Sequence, residues 1–132
     1  MQRYLIDTQI LIWSLINPEK LSGNIRKIML EHVICTSHVS LFEIAIKQKI
    51  GKLPDLQISI DSLEKRIVDD GFEMIPLKTA HLNHYNSIPL HADHRDPFDR
   101  ILLATAFSEG IPIISSDENF ELYSGYLKVI HA

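Results

Sequence analysis

Five short apolar runs recur along the chain: Tyr4–Ile6, Val33–Thr36, Phe72–Ile75, Ile111–Ile114 and Leu127–Ile130. Each has the length and β-branched character of a buried strand. The stretches between them read as helices. Thr8–Ile16 is apolar and ends before Asn17-Pro18. Ser22 is placed to cap a helix to about His32, with Ile25, Ile28 and Met29 on one face. Val39–Ile50 is helical in pattern and Gly51 stops it; Ser59 or Ile60 to Asp70, followed by Gly71, repeats the design. Thr79–Ile88 ends at Pro89, and Asp96-Pro97 opens a helix to Glu109 before Gly110. Strands alternating with helices predict an α/β fold, with a mostly parallel sheet covered by helices on both faces. At 132 residues, with no repeat, linker or low-complexity tract, the expectation is one domain over residues 1–132.

Composition narrows the class. Apolar residues are 45% and charged residues 23%, which excludes a disordered chain. The single cysteine, Cys35, excludes an internal disulfide and a Cys-rich zinc module. No apolar run approaches the roughly 20 residues of a membrane span. The start, Met1-Gln2-Arg3-Tyr4-Leu5-Ile6-Asp7, lacks signal-peptide architecture, so a cytoplasmic location is expected. Thirteen basic against 17 acidic residues give a net charge of −4. That argues against gripping nucleic acid through a broad basic surface, but leaves room for local negative charge offset by bound cations.

In an open α/β sheet, ligands bind beyond the carboxyl ends of the strands. Asp7 directly follows the first apolar run, and Asp117 follows the fourth in Ile113-Ile114-Ser115-Ser116-Asp117. Either carboxylate can also serve only as a helix cap or turn residue. Glu43 completes a capping-box pattern with Ser40 and an i,i+4 pair with Lys47, yet shares a helical stripe with Val39, Ile46 and Ile50. Asp96 reads as an N-cap. Asp99 sits in the first turn, where it suits the helix dipole, but heads a stripe of Leu102, Leu103 and Ala106 on a helix that is apolar nearly all round. A carboxylate entering such packing needs a charged partner or a metal. If Asp7, Glu43, Asp99 and Asp117 converge, their repulsion calls for a divalent cation, and all-oxygen ligands select Mg²⁺ or Mn²⁺ over Zn²⁺.

Other features read more plainly. His91-x-x-His94 lies in an irregular polar loop, His91–Arg95, without further ligands at zinc spacing. His81 and His84 are expected on a helix face, and Trp13 in the core or a dimer surface rather than as a base-stacking platform. Lys47, Lys49 and Lys52 form a basic run that is either a solvated helix end or, with Arg95 and Arg100, a set of RNA-phosphate contacts. No Gly-rich phosphate loop or nucleophile elbow is present.

Four segments carry a resemblance: Tyr4-Leu5-Ile6-Asp7-Thr8, Ser40-Leu41-Phe42-Glu43-Ile44-Ala45-Ile46-Lys47, Arg95-Asp96-Pro97-Phe98-Asp99-Arg100 and Ser115-Ser116-Asp117-Glu118-Asn119-Phe120. Their ordered set, with Gly51-Lys52-Leu53 between, resembles PIN domains, and more closely the VapC-type toxins of toxin–antitoxin modules. The resemblance implies a three-layer αβα fold with a five-stranded sheet in the order 3-2-1-4-5. It implies a Mg²⁺- or Mn²⁺-dependent endoribonuclease with Asp7, Glu43, Asp99 and Asp117 as catalytic, metal-holding acids, and Asp96 and Ser115 as auxiliary residues. It further implies a homodimer and a small antitoxin that blocks the site. Gln9 departs from the histidine often found after Asp-Thr in this subfamily. Two other functions stay open on the residues alone: RNA or protein binding without cleavage, and an aspartyl phosphotransferase using Asp7. The latter normally carries a second acid two residues after its nucleophile, where this chain has Gln9. Target specificity would lie in the loops His91–Arg95 and Lys52–Ser59.

Overall fold

A computed structural model describes residues 2–132. The described strands are β1 (Arg3–Ile6), β2 (Val33–Ser37), β3 (Glu73–Ile75), β4 (Ile113–Ser115) and β5 (Val129–His131). All adjacent pairs are parallel, and the order is β3-β2-β1-β4-β5. The helices are α1 (Thr8–Ile16), α2 (Gly23–Glu31), α3 (His38–Lys49), α4 (Ile60–Asp69), α5 (Thr79–Tyr85) and α6 (Pro97–Glu109), with 3₁₀ turns at Pro18–Lys20 and Glu118–Tyr123. This is the expected α/β sandwich in the expected strand order. Among the described residues no helix is long and apolar enough to cross a membrane.

Alternation along the strands builds two cores. Ile6, Ile34 and Ile114 face one side and pack with Ile10, Leu11, Ile25, Leu63 and Ile67. Their neighbours Leu5, Cys35 and Ile113 face the other and pack with Leu102, Leu103, Ala106, Phe120 and Tyr123. A period of two therefore feeds both layers at once. Burial raises the pKa of the Cys35 thiol, so this cysteine behaves as a small core apolar group.

The caps set where helices begin. Asp7, Ser22, Ser59 and Asp96 each accept a backbone N–H in the first turn of α1, α2, α4 and α6. Gly110 ends α6 at φ +68°, in the left-handed region that glycine enters without a Cβ penalty. Three local expectations fail. The N-cap of α3 is Ser37, so Ser40 lies inside the helix and no Ser40–Glu43 capping box forms. The stripe through Ile46 and Ile50 is not core either: Phe42, Ile46 and Ile50 are 61%, 36% and 59% exposed, and α3 instead buries Val39, Leu41 and Ile44. Helix α5 is also shorter than its pattern, ending at Tyr85.

Leu102 lies fully buried mid-way along α6, whereas Leu30 on α2 is 87% exposed. Leu102→Ala should lower the unfolding free energy by about 3 kcal/mol and Leu30→Ala by under about 0.5 kcal/mol. Urea unfolding of the two variants measures both.

Candidate active site

The sheet changes winding direction between β1 and β4, so a crevice opens beyond their carboxyl ends. The β1–β4 pairing aligns Leu5 with Ile113 and Ile6 with Ile114, and the Asp7 N–H continues it by donating to the Ile114 carbonyl. That register sets Asp7 and Ser115 side by side across 108 residues of chain. The Ser115 hydroxyl donates to Asp7 Oδ2 at 2.6 Å, while Asp7 Oδ1 accepts the Ile10 N–H at 2.9 Å. Asp7 is thus both the cap of α1 and a buried acid facing the crevice.

Asp117 stands two residues after β4. It caps the following 3₁₀ turn through the Asn119 N–H, and its own N–H donates to Ser115 Oγ at 3.0 Å. Glu43 arrives from the middle of α3. The Thr8 hydroxyl donates to Glu43 Oε1 at 2.7 Å and lies 2.9 Å from the Ser40 hydroxyl, pinning α3 to the start of α1. Lys47 Nζ, one turn on, is 3.8 Å from Glu43 Oε2. Asp99 is carried by the first turn of α6. Asp7, Glu43, Asp96, Asp99 and Asp117 all line one pocket of about 310 Å³, together with Thr8, Gln9, Lys47 and Ser116. All four expected metal-holding acids therefore share one cavity.

A histidine joins them. His94 is 4% exposed, and its ring packs edge-on to Phe120 and Tyr123. Nε2 is 3.0 Å from Asp99 Oδ2 and 4.0 Å from Asp117 Oδ2, and Nδ1 is 2.8 Å from the Tyr123 hydroxyl. The neutral tautomer that satisfies both contacts donates from Nε2 to Asp99 and accepts at Nδ1 from tyrosine. Candidate ligand atoms of His94, Asp99 and Asp117 lie within 4.8 Å of one another. The loop that looked irregular in sequence thus supplies a buried site residue. Only the Tyr123 and Phe120 contacts, some 25 residues on, show it.

The auxiliary and basic residues separate. Asp96 caps α6 through the Phe98 N–H and borders the pocket. Arg100 does not act as a free phosphate contact. It is 8% exposed, and its guanidinium donates to the carbonyls of His91 and His94, holding the loop that presents His94. Arg95 is exposed and donates to the Ala92 carbonyl; it lines a different concavity, with Leu90 and His91. Of the five expected cationic contacts, Lys47, Lys49, Lys52, Arg95 and Arg100, only Lys47 lines the pocket with the acids. His81, expected on an exposed helix face, is fully buried: Nδ1 accepts the Lys78 N–H and Nε2 is 3.0 Å from Glu109. That contact, with Lys78 nearby, lowers the Glu109 pKa.

The electrostatics follow from the crowding. Burial pushes the Asp7 pKa up to about 6, and the charges of Glu43 and Asp117 add to it against the Ser115 and Ile10 hydrogen bonds. Burial likewise pushes Asp99 to about 6, with Asp96 and Asp7 adding and His94 opposing. Burial is the main cause at both carboxyls, and the neighbouring acids add to it. Oxygen donors from four acids, with one imidazole beside them, fit a hard divalent cation.

The PIN domain sequence profile matches residues 4–126. The chain belongs to the PIN-domain family. No individually curated protein matches it at the sequence level. Among solved structures, it is similar to VapBC2 from Rickettsia felis bound to a promoter DNA fragment, with a TM-score of 0.71 and 15% identity over 99% of both chains. It is also similar to DNA-bound VapBC from Salmonella typhimurium, with a TM-score of 0.67 and 18% identity over 99% of this chain and 98% of that one. VapBC-5 from Mycobacterium tuberculosis gives a TM-score of 0.67 and 17% identity over 100% of both. At these identities the likeness establishes the fold: the sheet and helices match a PIN domain from end to end.

The raised pKa values set the sign of a pH effect in metal-free PIN domain. A carboxyl that is harder to ionise when folded favours the fold fully below about pH 3.8, and that advantage is lost as pH rises through about 6. Each shift corresponds to at most about 3 kcal/mol at neutral pH, at about 1.4 kcal/mol per unit. Asp7→Asn and Asp99→Asn should therefore melt higher than the parent at pH 7.5 in chelator, with the difference vanishing near pH 4. Thermal melts across that range test it, and variants that melt lower at pH 7.5 would contradict it.

Proposed function

We propose that this PIN domain is a divalent-metal-dependent endoribonuclease, the toxin of a toxin–antitoxin pair. The observation that carries the reading is the convergence of Asp7, Glu43, Asp99 and Asp117 on one pocket at the sheet's switch point, with two of them strained by burial. These four acids are assigned to hold Mg²⁺ or Mn²⁺. A cation held there supplies Lewis-acid polarisation of a phosphodiester and a lowered pKa for the attacking water. The chain's own residues do the positioning. Ser115 fixes the rotamer of Asp7, Thr8 fixes Glu43, and His94, braced by Tyr123 and Arg100, fixes Asp99. Asp96 adds negative charge at the rim while capping α6. Lys47 partly neutralises Glu43 and is near enough to meet a substrate phosphate.

The toxin assignment draws on the end-to-end likeness to chains from VapBC complexes, and it implies a small antitoxin partner and a cytoplasmic location. A homodimer is supported by the exposed apolar face of α3, where Phe42, Ala45, Ile46 and Ile50 surround a shallow hollow and Phe98 of α6 stacks edge-on to Phe42.

Purified protein should cut single-stranded RNA in Mg²⁺ or Mn²⁺ and not in EDTA. Asp99→Asn should lower the rate by more than the roughly 10–100-fold typical of losing a supporting contact, while His94→Gln should stay within that range. A denaturing gel read-out of RNA length measures this. Undiminished metal-dependent cutting by Asp99→Asn would defeat the assignment.

A further inference from the structure

The acidic pocket does not stand alone. Gln9 and Lys47 line both it and a second concavity of about 360 Å³. The second is lined by Trp13, Leu53 and Pro54 among others, and its charged lining is Lys20, Lys47 and Lys52 with Asp55. The charge therefore reverses over the length of one side chain, from five carboxylates with one lysine to three lysines with one carboxylate. This happens in a chain whose net charge is −4. The three lysines come from three places: the 3₁₀ turn after α1, the last turn of α3, and the loop beyond it. Trp13 is half-buried. It packs against the core and also lines the groove, with Lys20 Nζ over its ring at 5.7 Å from the centroid.

We propose that this groove is a substrate subsite: Trp13 stacks a base of single-stranded RNA next to the scissile phosphate, and Lys20 and Lys52 take the flanking phosphates. The proposal rests on the ribonuclease reading and specifies where its substrate runs. A polyanion whose central phosphate lies among metal-holding acids must place its neighbouring phosphates near positive charge, and the only cationic lining contiguous with the pocket among the described concavities is this one. Lysines spread around one aromatic suit a chain with a charge on every residue and a planar face on every base. The proposal adds a base-stacking role to the core packing expected of Trp13.

Trp13 is the only tryptophan in the chain, so its emission reports this groove alone. The test uses full-length Asp99→Asn protein with Mg²⁺ and an eight-nucleotide single-stranded RNA, followed by both tryptophan emission and the anisotropy of a fluorescein label. The expected result is saturable quenching with the same midpoint as the anisotropy. Lys20→Ala/Lys52→Ala should weaken binding roughly tenfold or more at low salt and flatten the salt dependence of log K by about 1.4, since each single-strand phosphate contact contributes about 0.7. In the otherwise wild-type chain, the lysine pair and Trp13→Leu should raise KM for the octamer with kcat unchanged. The lysine pair is exposed, which keeps the test independent of any stability loss in Trp13→Leu. RNA binding by anisotropy without quenching, or with an unchanged salt slope, would overturn the proposal and leave the groove to a partner polypeptide. A chain that neither binds nor cuts RNA would overturn the ribonuclease reading and this one together.

Discussion

The parallel pairing of β1 with β4 is the constraint on which the site depends. It aligns Ile6 with Ile114, and the residues just past each strand end meet as a consequence. Asp7, Ser115 and Asp117 are brought together by that register, not by local sequence. A slip of one residue would turn Ile6 and Ile114 into the wrong layer and carry Asp7 away from Ser115. The two apolar layers that specify the register therefore also specify the acid cluster. The helices then add their own acids at fixed heights: Glu43 mid-way along α3 through the Thr8 contact, and Asp99 in the first turn of α6 through His94.

The same residues serve stability and chemistry with opposite signs. As caps, Asp7 and Asp96 stabilise α1 and α6 by about 1 kcal/mol each. As charges in one pocket, Asp7 and Asp99 oppose folding above about pH 6. The fold tolerates this because both cores are closed around the site: Ile6, Ile114, Leu102 and Leu103 are fully buried within a few residues of the acids. Positioning contacts such as Arg100 on the His91 and His94 carbonyls have the same character. A buried guanidinium is spent on holding a loop, and the loop presents one imidazole.

Much of the architecture was legible because the local signals were strong. The five apolar runs lie where the strands are, and Ser22, Ser59 and Asp96-Pro97 start helices as their chemistry requires. Strand order was not in the periodicity; it came with the family resemblance. The acids were legible as residues that follow strands or interrupt apolar helix faces. His94 was not, because a polar loop of His91–Arg95 gives no sign that its histidine is buried against Phe120 and Tyr123. The exposed stripe of Ile46 and Ile50 failed for a related reason. Periodicity tells which residues share a face, not which face meets the core. At Ser40 the expected cap gave way to Ser37, the last residue of β2.

The central claim is that four acids distant in sequence form one cation-holding centre. Paramagnetic broadening by Mn²⁺ of backbone amide signals in the ¹⁵N-labelled chain tests it most directly. Broadening at sub-stoichiometric Mn²⁺ should be centred on Thr8, Glu43, Asp99 and Asp117 together and disappear on adding EDTA. Broadening centred elsewhere, such as around His81 and Glu109, or spread over the acidic surface with no common centre, would contradict the account.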